Sequence, residues 1–198
     1  MINALCVVAH PDDETIWMGG MILKNPNWNW TIFSLCRQND SDRMPKFKKV
    51  CKHYGAKAMI SDLEDDKLHP ISLLDLKNKI MKKLKRKDFD YIFTHGKNGE
   101  YGHIRHIEIH NAVNELVNEG KLSCKKAYCF SYRPGKVKAP HNSGLKIPVP
   151  SKDANSKINL NAEEYMEKIK IIRDIYGFRE GIFETLSCNQ IESFVELK

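Results

Sequence analysis

Hydrophobic positions in this chain come in short blocks separated by polar stretches. Ile2 to Ala9 is an almost unbroken apolar run, interrupted only by Asn3, which predicts a strand buried on both faces. The run stops at His10, because Pro11 lacks an N–H and biases the residue before it away from helical angles. Thr15 to Lys24 then reads as a helix in which Gly19 and Gly20 permit close packing. Further strand patterns fall at Trp30–Cys36, Lys57–Ser61, Asp90–His95 and Lys126–Tyr132. Helical patterns fall at Pro45–Tyr54, Ile71–Lys87, Ile104–Glu119 and Ala162–Tyr176, three of them closed by Gly55, Gly120 and Gly177. Region 133–160, with four prolines and few apolar residues, is expected to be a loop able to form a lid.

Alternating strands and helices predict an α/β fold with a mostly parallel sheet covered by helices on both faces. In a doubly wound sheet of order 3-2-1-4-5, strands 1 and 4 are neighbours, and ligands bind between their C-terminal ends. Those ends are His10 to Glu14 and His95 to His106, the two most polar, histidine-bearing segments. No G-x-G-x-x-G follows the first strand, which argues against dinucleotide binding.

At 198 residues the chain is expected to be one domain, residues 1–198, long enough to bury roughly 70% of its unfolded surface. No apolar run reaches the roughly 20 residues of a membrane span, and the first strand leaves no room for a signal peptide, so a cytoplasmic location is expected. The six cysteines form no C-x-x-C pair and read as reduced core thiols. The net charge of +7 is most visible in Lys77 to Lys87, an amphipathic pattern whose basic face is either simply solvated or a phosphate- or membrane-surface patch. No aromatic interleaving or nucleic-acid motif accompanies it, so no nucleic-acid partner is expected. A homo-oligomer is compatible with the sequence.

His10, Asp12, Asp13 and Glu14 are costly to bury unpaired, so their position at the end of a buried strand points to a site. The alternative is that Asp12 or Asp13 caps the following helix. On a helix beginning near His103, residues His103, His106 and His110 share one face. His10, Asp13 and His106 then make a two-histidine, one-carboxylate set suited to a zinc ion with an open position for water. His110 reads as a packed histidine, Glu14 as a structural group, and His53, His69 and His141 as surface residues.

Ala-His-Pro-Asp-Asp-Glu at 9–14 and Tyr-Gly-His-x-x-His at 101–106, in this order and setting, resemble the LmbE-like or PIG-L zinc-dependent N-deacetylases. The resemblance implies a three-layer Rossmann-like fold and a hydrolase removing acetyl groups from N-acetylglucosamine-type sugars or related small amides. It implies His10, Asp13 and His106 as ligands of one zinc ion, a place Fe2+ can also fill. Asp12 would be the general base, His103 would stabilise charge or act as acid, and Tyr101 would help hold the oxyanion. Arg43, Asp65 and Arg133 are candidate substrate contacts. Arg105 stands where many members carry an acidic residue that orients the first histidine, and Ile104 replaces a common proline, so a carboxylate holding His103 must come from elsewhere or be absent. Two other readings stay open: hydrolysis of a different acylamide such as a thiol conjugate, and a non-catalytic metal- or nucleic-acid-binding protein.

Overall fold

The structure, a computed structural model, describes residues 1–140 and 144–197; His141 lies outside them. The N-terminal apolar run forms β1 (Asn3–Val8), with Ala4 to Val8 fully buried. Its side chains alternate between two cores. Ala4, Cys6 and Val8 join one cluster, and Leu5, Val7 and Ala9 the other. This is the burial on both faces that a central parallel strand requires.

Around β1 lie β2 (Asn29–Cys36), β3 (Lys57–Leu63), β4 (Asp88–Thr94) and β5 (Ser123–Phe130), all parallel, in the order β3-β2-β1-β4-β5. Helices α1 (Asp13–Lys24) and α2 (Arg43–His53) supply Trp17, Ile22, Phe47 and Val50 to the core on one face. Helices α3 (Leu73–Lys83) and α5 (Ile104–Asn118) supply Leu76, Ile80, Ile109 and Val113 to the other, and a short helix α4 (Gly99–Gly102) lies between β4 and α5. The result is the three-layer, mostly parallel α/β sheet of order 3-2-1-4-5.

Region 133–160 departs from the loop expected there. It contains β6 (Tyr132–Lys138) and β7 (Lys146–Pro150), an antiparallel pair outside the main sheet, and β8 (Ser156–Asn159). Its prolines are tolerated because β6 and β7 have no third strand beside them. Helix α6 (Ala162–Lys170) runs on into a π-helical turn, Ile171–Ile175, and is followed by α7 (Phe183–Ser187). The final strand β9 (Ile191–Glu196) pairs antiparallel with β5 and with β8, extending the sheet to seven strands.

Helix α1 is broken at Met18, which leaves helical angles (φ −147°, ψ 19°). The freed N–H groups of Gly20 and Met21 donate to the Glu192 carboxylate at 2.7 and 2.8 Å, and the buried Lys168 neutralises it at 2.7 Å. A Cβ on Gly20 would run into the Leu160 side chain, which is why a glycine sits there. All six cysteines are free thiols, five of them buried. The lysines of α3 are partly committed: Lys77 pairs with Glu119 and Lys79 with Asp62. Among the described residues no helix is long and apolar enough to cross a membrane.

Candidate active site

A cavity of about 380 Å³ opens at the C-terminal ends of the strands, where the topology places the switch point. His10, Asp12, Asp13, Arg43, Asp65, Tyr101 and His103 line it, together with Trp17, Arg37, Asp40, Phe183 and Glu184. Asp12 stands at the N-cap of α1, but its side chain makes no capping hydrogen bond, so the capping reading fails for this residue. Its backbone adopts φ 119°, a strained value for an aspartate. The Glu14 carboxylate holds the Asp12 N–H at 3.1 Å, and Arg43 Nη1 donates to Asp12 Oδ2 at 2.7 Å. Burial and the Asp13 charge push the Asp12 carboxyl well above its usual range, against the pull of Arg43.

Asp13 points the other way. Its Oδ1 accepts the Trp17 indole N–H at 2.9 Å. Its Oδ2 lies 3.2 Å from His10 Nδ1 and 3.5 Å from His106 Nε2, and those two nitrogens are 3.3 Å apart. Zinc bonds of about 2.0–2.1 Å in tetrahedral directions set ligand separations of ~3.3 Å, so the triangle has the size such an ion needs. Burial raises the Asp13 carboxyl, but His106, His95 and the hydrogen bond to His10 outweigh it and hold it well below the usual range. Burial lowers His10, yet Asp13 and Asp65 more than reverse this and bring it to about 10. The carboxylates around this corner thus call for a cation.

Each ring is oriented from behind. His106 Nδ1 donates to Glu100 Oε2 at 2.6 Å, leaving Nε2 as the lone-pair nitrogen of the triangle. His10 Nε2 donates to Asp65 Oδ1 at 3.0 Å, so a metal that displaced the proton on Nδ1 would find the second lone pair there. Glu100 also receives the Gly96 N–H and His95 Nδ1, whose ring accepts the Ala9 N–H at Nε2. The buried group His95, Glu100 and His106 is therefore occupied by its own hydrogen bonds. In the group His10, Cys36 and Asp65 the carboxylate is already engaged by Arg37 Nη2 at 2.7 Å and by His10 Nε2 at 3.0 Å. The set His10, Asp13 and His106 is the one whose donor chemistry and spacing suit a divalent ion.

His103 sits beside this corner, its ring centroid 4.9 Å from that of His10 and 4.6 Å from that of His106. Burial, helped by His106 and His10, pushes it down to about 3, so the ring is neutral. Its Nδ1 is buried without a hydrogen-bond partner, so no carboxylate holds it. Tyr101 packs edge-on against Phe183, ring centroids 4.8 Å apart, and burial pushes its phenol up. Arg43 lies over the Phe178 ring at 4.4 Å. Asp65 is held by Arg37 Nη2 at 2.7 Å as well as by His10. Arg133 lies on β6 rather than at the end of β5, is exposed, and does not line the cavity.

The remaining expectations fall outside the cavity. His110 packs against the His95 carbonyl at 2.8 Å, and Glu14 is buried and held by Thr15 and Tyr176. His53 pairs with Glu167 at the surface, and His69 is exposed. Glu100, Arg37, Asp40, Phe183 and Glu184 were not singled out from the sequence. Only Glu100 has a local signal, as the acidic residue immediately before the second histidine motif.

The family profile described as PIG-L: GlcNAc-PI de-N-acetylase matches residues 5–117. This chain belongs to the PIG-L family. Uncharacterised protein L374 of Acanthamoeba polyphaga mimivirus is 27% identical over 133 residues, 58% of this chain and 57% of that protein, so the match spans just over half of the relative. Among solved structures, N,N'-diacetylchitobiose deacetylase from Pyrococcus horikoshii is similar with a TM-score of 0.70 at 17% identity, over 98% of this chain and 83% of that one. A 4-carboxy-2-hydroxymuconate hydratase from Pseudomonas putida gives 0.63 at 13% identity, over 100% and 97%. The zinc-inhibited form of a teicoplanin deacetylase gives 0.60 at 9% identity, over 88% and 84%. Deacetylases and a hydratase share this PIG-L architecture, so the reaction must be argued from the side chains.

Proposed function

We propose that this PIG-L protein is a metal-dependent N-deacetylase that hydrolyses acetamido groups on N-acetylglucosamine-type sugars or similar small amides. The carrying observation is the triangle of His10 Nδ1, Asp13 Oδ2 and His106 Nε2, with edges of 3.2, 3.3 and 3.5 Å, beside the strained Asp12. His10, Asp13 and His106 would hold a zinc ion there, which would supply Lewis acidity and make water acidic enough to lose a proton near neutral pH.

The chain's own residues divide the remaining work. Asp12 is free of the triangle and serves as general base, taking the proton of the attacking water. Arg43 holds the Asp12 carboxylate in place at 2.7 Å. Tyr101 O–H and the neutral His103 ring stabilise the negative charge that develops on the amide oxygen. His103, pushed down to about 3, is suited to donating a hydrogen bond rather than to serving as a cationic acid, so the leaving amine takes its proton from Asp12. Arg37, Asp40 and Glu184 place donors and acceptors of both signs on the wall, while Trp17 and Phe183 add apolar faces. Mixed polar groups and aromatic faces suit an uncharged, hydroxyl-rich substrate.

The test is Asp12→Asn. Hydrolysis of an N-acetylglucosamine-type amide is expected to fall by roughly 100- to 10,000-fold with zinc uptake unchanged. A rate within a few-fold of wild type would contradict the assignment of the base.

A further inference from the structure

Arg105 stands between the two histidines of the second motif, and it does not serve His103. It is wholly buried, and every nitrogen of its guanidinium is engaged. Nε donates to the Glu64 carbonyl, Nη2 to Glu64 Oε2 and Nη1 to Glu108 Oε2, each at 2.6 Å. Glu108 in turn accepts the Ile71 N–H at 2.9 Å. The segment between β3 and α3 is thereby pinned at both ends, at Glu64 and at Ile71. Asp65 is the next residue after Glu64, and its carboxylate fixes the His10 ring at 3.0 Å.

We infer that Arg105 is a positioning residue for the metal corner, acting through Glu64 and Asp65 on His10. The inference rests on the metal reading proposed above. Arg105 sits one residue before His106, so a single turn of α5 supplies one imidazole directly and orients the other through the clamp. Three charge-assisted bonds in a planar fork are specific to arginine, and a lysine keeps the charge while losing that geometry. Were Asp65 to drift, His10 would lose the partner that holds Nδ1 toward Asp13 and His106.

Zinc affinity is the readout, measured by competition with a chromophoric chelator on the whole 198-residue chain. Asp65→Asn, which alters the direct partner of His10, is expected to weaken zinc binding by about 10- to 100-fold, and Arg105→Lys, one step further out, by a smaller factor of the same sign. The double variant should be little weaker than Asp65→Asn alone, because both act on one path. Should Arg105→Lys not fold, Glu64→Ala, which alters an exposed partner, is expected to show a smaller loss of the same sign. A folded Arg105→Lys, or failing that Glu64→Ala, with lowered thermal stability but wild-type zinc affinity would overturn the proposal, as would losses that multiply in the double variant. A wild-type chain that takes up no zinc would overturn the metal reading itself, and this inference with it.

Discussion

Two adjacent aspartates behave oppositely because their surroundings differ. Asp13 faces three imidazoles and an indole N–H, whereas Asp12 has one arginine and the Asp13 charge beside it. In the proposed mechanism that contrast separates an ionised ligand from a base able to take up a proton. Their presence was legible as a polar cluster ending an apolar strand; their division of labour came from the family resemblance. The place of Glu100 beside the second motif was legible but its role was not, since nothing in the sequence reveals that His95 and His106 both turn toward it. Burial raises Glu100, but those two histidines outweigh it and hold it at about 2 against the ordinary 4.5. Because the folded value is depressed, the stabilisation is complete above pH 4.5 and fades as pH falls toward 2; the difference corresponds to roughly 3 kcal/mol. Urea unfolding of the metal-free protein should therefore show an acid loss across this window to which Glu100 contributes beside Asp13 and Asp65, and Glu100→Gln should make it shallower. An equally steep acid loss in the variant would assign the effect elsewhere.

Among the elements, the five parallel strands and their helices followed from apolar blocks and glycine stops, whose causes are local. Strands β6 to β9 did not: β6 and β7 carry Lys and Pro in place of a buried apolar run, and β8 and β9 are short with polar residues between their apolar ones. The break in α1 was equally hidden: it depends on Glu192, far away in sequence, capping the freed N–H groups of Gly20 and Met21. Gly19 and Gly20 signalled close packing, and Leu160 occupies the space beside Gly20. Gly20→Ala is accordingly expected to cost about 1–3 kcal/mol, from overpacking against Leu160. Denaturant melts check this, and Leu160→Ala in the same background should lessen the penalty attributable to the added methyl. An unchanged midpoint in Gly20→Ala would show that the contact yields freely.

At the scale of the whole molecule, the site draws on nearly every connection at one end of the sheet. The segment after β1 supplies His10, Asp12 and Asp13, that after β2 supplies Arg37 and Arg43, and that after β3 supplies Asp65. Tyr101 and His103 come from the segment after β4, and α7 closes the wall with Phe183 and Glu184. The family match covers residues 5–117, so α7 lies outside it. The central claim is that the corner binds a metal and that amide hydrolysis depends on it. Its most direct test is acetate release from an N-acetylated amino sugar by the purified protein, before chelation, after chelation and after zinc is returned, with His106→Ala alongside. Activity lost on chelation, restored by zinc and absent in His106→Ala is the predicted result. Acetate release that persists without metal, or that survives loss of His106, would contradict the account.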